Sequence, residues 1–184
     1  AQKIFSLYNI QRIAVMPSEP RRQFPKYRSC RFCKKNSTQV SFKKDAHTIP
    51  NSLGNKFGVS DFECDKCNEL FSRYESDLCD FIGINRTIFG VNGKNKVPKY
   101  NSNSIKAEVK DLDFAKNSIL INYKVFENIT IDDNTGETKI KYTKNRYTPI
   151  NVYKSFLKMA LSTLPEEEVK YYKQAFDFLL SEEN

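Results

Sequence analysis

The sequence predicts an α+β fold: a small metal-stapled unit, then an antiparallel hairpin or sheet, then two C-terminal helices. Three observations carry that expectation. Two C-x-x-C pairs, Cys30/Cys33 and Cys64/Cys67, bracket a stretch of 30 residues. Segments near 105–109, 119–125 and 138–142 alternate apolar and polar residues with the period of two that marks strands. Apolar residues recur at helical spacing before Gly83 and again after Pro149. The 184 residues are 39% apolar, with 14 Phe and 10 Tyr, which supplies a core and excludes global disorder. No apolar run approaches the ~18 residues that would span a bilayer. The first residues lack a signal-peptide core.

Taken in order, residues 1–27 form a basic arm. Thr38–Lys43 alternate as a short strand, and His47 falls at its exit. Ile49-Pro50 and an Asn51–Gly54 turn follow. From Asn68 onward, Leu70, Phe71, Tyr74, Leu78, Phe81 and Ile82 form a helical stripe that Gly83 stops. Cys79 lies on this helix as a small apolar residue. Residues 90–100 read as a Gly/Asn/Lys-rich loop containing Lys94, Lys96 and Lys99. Ile105/Ala107/Val109, Ile119/Ile121/Tyr123/Val125 and Thr138/Ile140/Tyr142 are strands, and the turn Asp132–Gly136 joins the last two. Thr148-Pro149 starts a helix with Val152, Phe156, Leu157, Ala160 and Leu161 inward. Pro165 with Glu166–Glu168 starts another, with Val169, Tyr172, Phe176, Leu179 and Leu180 inward.

Charge is unevenly distributed within a net +8. Residues 1–60 carry 12 basic and 2 acidic side chains, residues 61–80 carry 2 and 7, and residues 81–124 carry 8 and 3. An acidic island between basic arms suits a divalent-metal site flanked by phosphate-binding surface; a solvated helix would read similarly. The excess charge suits a polyanion, whether nucleic acid or anionic headgroups.

Four cysteines in two C-x-x-C pairs supply the four thiolates of a tetrahedral Zn²⁺ site, because the two-residue gap lets both sulfurs of a pair reach one metal from a tight turn. The alternative is two disulfides. The odd fifth cysteine and the missing secretory signal favour a reducing, cytoplasmic compartment. His47, the sole histidine, lies inside the bracketed loop. A unit this short cannot bury its own core and requires the metal.

Cys30-Arg-Phe-Cys33, Asp45-Ala-His-Thr-Ile-Pro50, Ser52-Leu-Gly-Asn55 and Cys64-Asp-Lys-Cys-Asn68 together resemble a zinc-stapled HNH endonuclease of the ββα-metal nuclease fold, over roughly residues 28–83. The resemblance implies that His47 is the general base activating water against a phosphodiester. It also implies that Asn68 helps hold one catalytic divalent ion, Mg²⁺ or Mn²⁺, and that the zinc is structural. Physical chemistry supports these roles: cleaving an anionic diester needs a base and charge neutralisation, and imidazole titrates near working pH. Asn68 begins a helix, so a capping role is its alternative.

Many HNH enzymes place a carboxylate metal ligand directly before the base, where this sequence has Ala46. Asp45, Asp61 and Glu75 are the candidate replacements; Glu63 and Asp65 belong to the same acidic island. The family's central Asn is not singled out by the sequence, and Asn51 and Asn55 read equally as turn residues. Lys94, Lys96 and Lys99 lie along a nucleic-acid backbone or form a solvated connection.

The domain expectation is a basic arm over 1–27, an HNH module over 28–83, and an α+β extension over 84–184 serving DNA contact, homodimerisation or both. The functional expectation is a cytoplasmic, metal-dependent endonuclease acting on DNA, with RNA also open, in restriction, phage defence or a mobile element. The alternative is a non-catalytic zinc-ribbon module that binds nucleic acid.

Overall fold

The computed structural model describes residues 27–111, 118–123 and 129–181. The N-terminal arm, Tyr27 excepted, and Val125 lie outside them. The first C-x-x-C sits in a tight turn closed by the Lys34 amide donating to the Cys30 carbonyl (2.9 Å) and the Cys30 amide donating to Lys35 (2.7 Å). Lys34 takes a positive φ of 61° there.

The strand expected over 38–43 does not form. Asn36 turns the chain instead, its Oδ1 accepting from the Thr38 amide (3.0 Å) and hydroxyl (2.6 Å). Beyond it, Asp65 takes the place of a sheet partner. Its carboxylate accepts from the Ser41 hydroxyl (2.6 Å) and from the amides of Lys43 and Lys44. Burial alone would raise the Asp65 carboxyl; the Ser41 hydroxyl and the Lys44 and Lys43 amides outweigh it and hold the group below its ordinary value.

A minimal hairpin follows. β1 (Ala46–His47) pairs antiparallel with β2 (Val59–Ser60), Ala46 opposite Ser60 and His47 opposite Val59. A 3₁₀ turn over Asn51–Leu53 ends at Gly54, whose φ of 91° suits glycine. Helix α1 (Asp65–Ile82) then starts three residues before Asn68, with Cys64 at its N-cap, and stops at Gly83 with φ 62°. Asn68 is therefore inside the first turn and is no cap. Cys79 is half-buried.

The extension contains a short helix α2 (Asn85–Ile88) and a three-stranded antiparallel sheet. Its strands are β3 (Tyr100–Asn101), β4 (Ile105–Asp111) and β5 (Ser118–Tyr123), with Ile105 opposite Tyr123 and Val109 opposite Ile119. The Asp132–Gly136 turn forms where expected, with the Asp132 carboxylate accepting from the amides of Asn134 (2.9 Å) and Thr135 (3.2 Å). It joins β6 (Ile129–Ile131) to β7 (Thr138–Ile140), not 119–123 to 138–142, because β5 is committed to β4. Helix α3 (Pro149–Thr163) opens with Pro149 at its first turn. The second C-terminal helix begins later than Pro165: a 3₁₀ turn over Val169–Tyr172 leads into α4 (Lys173–Leu180). Among the described residues no helix is long and apolar enough to cross a membrane.

Two cores result. Phe32, Phe42, Phe71 and Tyr74 pack around Cys30, Cys64 and Cys67 together with Leu161, Val169, Phe176 and Leu179 of the C-terminal helices. Ile84, Tyr100, Ile105 and Ala107 form a smaller one under the sheet. The expected inward face of α3 is rotated. Val152 and Leu161 are buried, but Lys154, Ser155, Lys158 and Ser162 are buried with them, while Phe156 is 50% exposed and Ala160 is on the surface. The ammonium groups find acceptors inside: Lys154 donates to the Ser181 carbonyl (2.6 Å) at the end of α4.

Arg31 joins the two halves of the larger core. Its guanidinium donates to the carbonyls of Leu161 (3.2 Å), Ser162 (3.4 Å) and Leu164 (2.9 Å) and to the Glu166 carboxylate (2.7 Å), and it lies over the Phe62 ring. These are the carbonyls left unpaired at the end of α3, where the helix dipole favours a cation. Hydrogen bonds to a charged group are worth ~1.5–3 kcal/mol each before compensation, so Arg31→Ala should lower stability by about 2–3 kcal/mol in urea unfolding. Glu166 is mostly exposed, and Glu166→Ala should cost less than 1 kcal/mol, within the ~0–1 typical of surface pairs.

Candidate active site and metal centre

The four sulfurs of Cys30, Cys33, Cys64 and Cys67 lie within 4.8 Å of one another. Cys30–Cys67 is 3.8 Å and Cys33–Cys64 is 3.7 Å. A tetrahedron of sulfurs about Zn²⁺ at ~2.3 Å has edges of about 3.8 Å, so the donor set fits that ion. None of the five cysteines is disulfide-bonded. Within the cluster the sulfurs share protons unevenly. The hydrogen-bond contact with Cys67 holds Cys30 down to about 5, burial pushes Cys64 up to about 11, and the contact with Cys30 raises Cys67. A proton-sharing thiol–thiolate set is one that exchanges protons for a metal.

His47 is half-buried on β1, and its Nδ1 is buried with no hydrogen-bond partner. Burial lowers its pKa below the ordinary 6.5. Lys158, Lys56 and Lys94 lower it further, against an opposing pull from Asp45. The loop beyond it is cross-tied by Asn55. That side chain donates to the carbonyls of Ile49 (2.7 Å) and Gly58 (3.1 Å) and accepts from the amides of Gly58 (2.8 Å) and Phe57 (3.2 Å). A Cβ on Gly58 would meet the Asn55 and Thr48 side chains at 2.9 Å, so a larger residue there would push them out of their hydrogen bonds. Arg86 and Lys56 brace the loop against the following segment through the carbonyls of Ser52 and Gly93. Of the two loop asparagines, Asn55 thus carries the structural role, and Asn51 Oδ1 is buried without a partner.

The carboxylates divide. Asp45 is exposed, Asp61 is half-exposed, and Ala46 is fully buried at 0%. Glu75 is half-buried and its Oε1 lies 3.9 Å from the Lys158 ammonium, which occupies it as an ion-pair partner. Glu63 is 2% exposed, 3.2 Å from the same ammonium, and burial raises its carboxyl to about 7 despite that partner. Asn68 is half-buried in the first turn of α1. Lys94, Lys96 and Lys99 are all exposed, but Lys99 is ion-paired with Glu108.

Lys158 is the residue that sequence reasoning passed over; Glu63 was named only as part of the acidic island. A lysine pair four apart, Lys154 and Lys158, amid an otherwise apolar helix was the available signal.

The metal centre makes a direct prediction. Purified protein should carry one Zn²⁺ per chain by elemental analysis. Cys64→Ser should lose it and, with it, the far-UV signal of α1 and the docking of α3, because structural zinc contributes ~10–16 kcal/mol to such units.

Residues 30–77 match the family model of HNH endonuclease. No curated protein and no solved structure matches the chain. Over 30–77, then, the chain is similar to the HNH endonuclease family, and its four cysteines there are placed so that they could hold a metal ion.

Proposed function

We propose that this protein is a metal-dependent endonuclease that hydrolyses DNA phosphodiester bonds, with His47 as general base. The observation that carries the reading is the His47 imidazole: it is the one histidine of the sequence, it stands on β1 inside the stretch that matches the HNH family, and its pKa is held low. A neutral imidazole is the proton acceptor that water activation needs. The ring takes a proton from water as the water oxygen attacks phosphorus, and the P–O bond to the leaving oxygen breaks. Lys56 and Lys94, whose charges reach His47, supply positive potential toward the diester.

The resemblance implies Mg²⁺ or Mn²⁺ with Asn68 among its ligands. Among the described residues, the only group of three or more His, Cys, Asp and Glu side chains close enough to share an ion is the four cysteines. Asp45, Asp61 and Glu75 do not join His47 in a second group of that size, so a divalent ion at His47 would be held by one or two protein ligands and otherwise by water and phosphate oxygens, as Mg²⁺ accepts.

Plasmid cleavage with Mg²⁺, Mn²⁺ or chelator tests the reading. His47→Ala should cut ~10²–10⁴-fold more slowly while keeping zinc and DNA affinity. The wild-type rate should rise with pH through an inflection below 6.5 and stay flat at neutral pH, since protonation of an imidazole with a lowered pKa is complete only in more acidic solution. A wild type saturated with DNA and either ion that cuts no faster than His47→Ala would make the chain a non-catalytic zinc-ribbon binder, the reading that fully buried Ala46 favours.

Binding follows from the basic loop. Lys94→Ala with Lys96→Ala should weaken DNA affinity and flatten the salt dependence by about two phosphate contacts. Lys99→Ala should add little, because Glu108 already neutralises it. A titration across salt concentrations separates the two outcomes.

A further inference from the structure

Lys158 is 1% exposed, a rare state for a lysine, and it is not placed there by apolar packing alone. Its ammonium donates to the backbone carbonyl of His47, which is 111 residues away in sequence. It also lies 3.2 Å from Glu63 Oε2 and 3.9 Å from Glu75 Oε1, and 5.9 Å from the centre of the Phe71 ring. The hairpin that carries His47 has two residues in each strand, extended by the Thr48 amide (2.8 Å) and hydroxyl (3.1 Å) donating to the Gly58 carbonyl and by the Asn55 ties in the loop. So short a ladder cannot by itself hold an imidazole within the ~0.5 Å that productive geometry demands.

We propose that Lys158 is a positioning residue for His47: its ammonium, sealed among the His47 carbonyl, Glu63 and Glu75, fixes the strand that presents the imidazole. The device comes from α3, outside the 30–77 module, so the C-terminal helix completes the site. One turn earlier on the same helix, Lys154 ties down the end of α4 through the Ser181 carbonyl and hydroxyl. Helix α3 thus anchors two separate segments by buried ammonium groups. The inference rests on the reading of His47 as the base, but the placement of the ring can be tested without activity.

Three full-length proteins decide it: wild type, Lys158→Met, and Glu63→Gln/Lys158→Met. Each is followed by steady-state plasmid cleavage, zinc content, thermal melting and the NMR resonance of the imidazole Cε1–H. With a single histidine in the chain, that resonance is unambiguous. Lys158→Met should lower kcat by ~10²-fold with KM unchanged, as a displacement near 1 Å does, and should shift or broaden the imidazole resonance. It should also melt earlier, since Glu63 loses its counter-ion in the interior. The double variant should regain the melting temperature but keep both the kcat defect and the displaced resonance. Recovery of kcat and of the resonance in the double variant would overturn the proposal and leave Lys158 as no more than the counter-ion of Glu63. If wild type itself does not cut, the nuclease reading fails, and an unmoved resonance in the double variant then overturns the positioning role on its own.

Discussion

Four sulfurs held within 4.8 Å of one another are the constraint on which the rest of the module depends. Two come from the Cys30–Cys33 turn and two from the first turn of α1, so the intervening 30 residues are a closed loop anchored at one point. Closing a loop of that length costs chain entropy that a pair of two-residue strands cannot offset. A metal ion held by the four thiolates would offset it and let a hairpin as small as β1–β2 persist. The cluster is also the inner wall of the larger core, where Phe32 meets Phe71 edge-on at 4.7 Å and Phe176 and Leu179 pack from the C-terminal side. The helices of the extension therefore lean on the same point that staples the loop.

Buried cations are the second organising feature. Arg31, Lys154 and Lys158 are each at most 7% exposed, and each bonds to backbone carbonyl oxygens. Desolvating a cation is costly unless its donors are satisfied, so these contacts are demanding of geometry. Two of them sit at helix C-termini, the end of α3 for Arg31 and the end of α4 for Lys154, where unpaired carbonyls and the dipole favour positive charge. The third, Lys158, ends on the His47 strand. Arg31 and Lys158 bind the module to the extension, and Lys154 binds α3 to the end of α4, through polar contacts that specify one arrangement of the helices.

The site differs from a carboxylate-rich metal centre. Ala46 is sealed in the interior, Glu75 is engaged by an ammonium, and Asp65 is spent holding residues 41–44. Around His47, the charges of Lys158, Lys56 and Lys94 bear on the ring against that of Asp45. Such a field favours an approaching phosphate and keeps the imidazole neutral. Asn55, meanwhile, uses both ends of its amide to hold the loop between the strands, leaving no capacity for a ligand.

The sequence by itself determined whatever depends on local chemistry. The zinc donor set follows from the C-x-x-C spacing, α1 from a 3.6-residue stripe ending at Gly83, and the Asp132–Gly136 turn from an Asp side chain that bonds its own following amides. β4 and β5 were likewise legible as alternation, though neither their pairing nor the partner of β7 was. Tertiary structure alone decided the rest. Residues 38–43 alternate like a strand, yet the Asp65 carboxylate reached their amides before any partner strand did. Apolar residues of α3 pointed to one face, but Lys154 and Lys158 turned another inward once distant carbonyls were in reach. A side chain's acceptors more than 100 residues away leave no periodic trace, because hydrogen bonds are short-ranged in space and indifferent to separation along the chain.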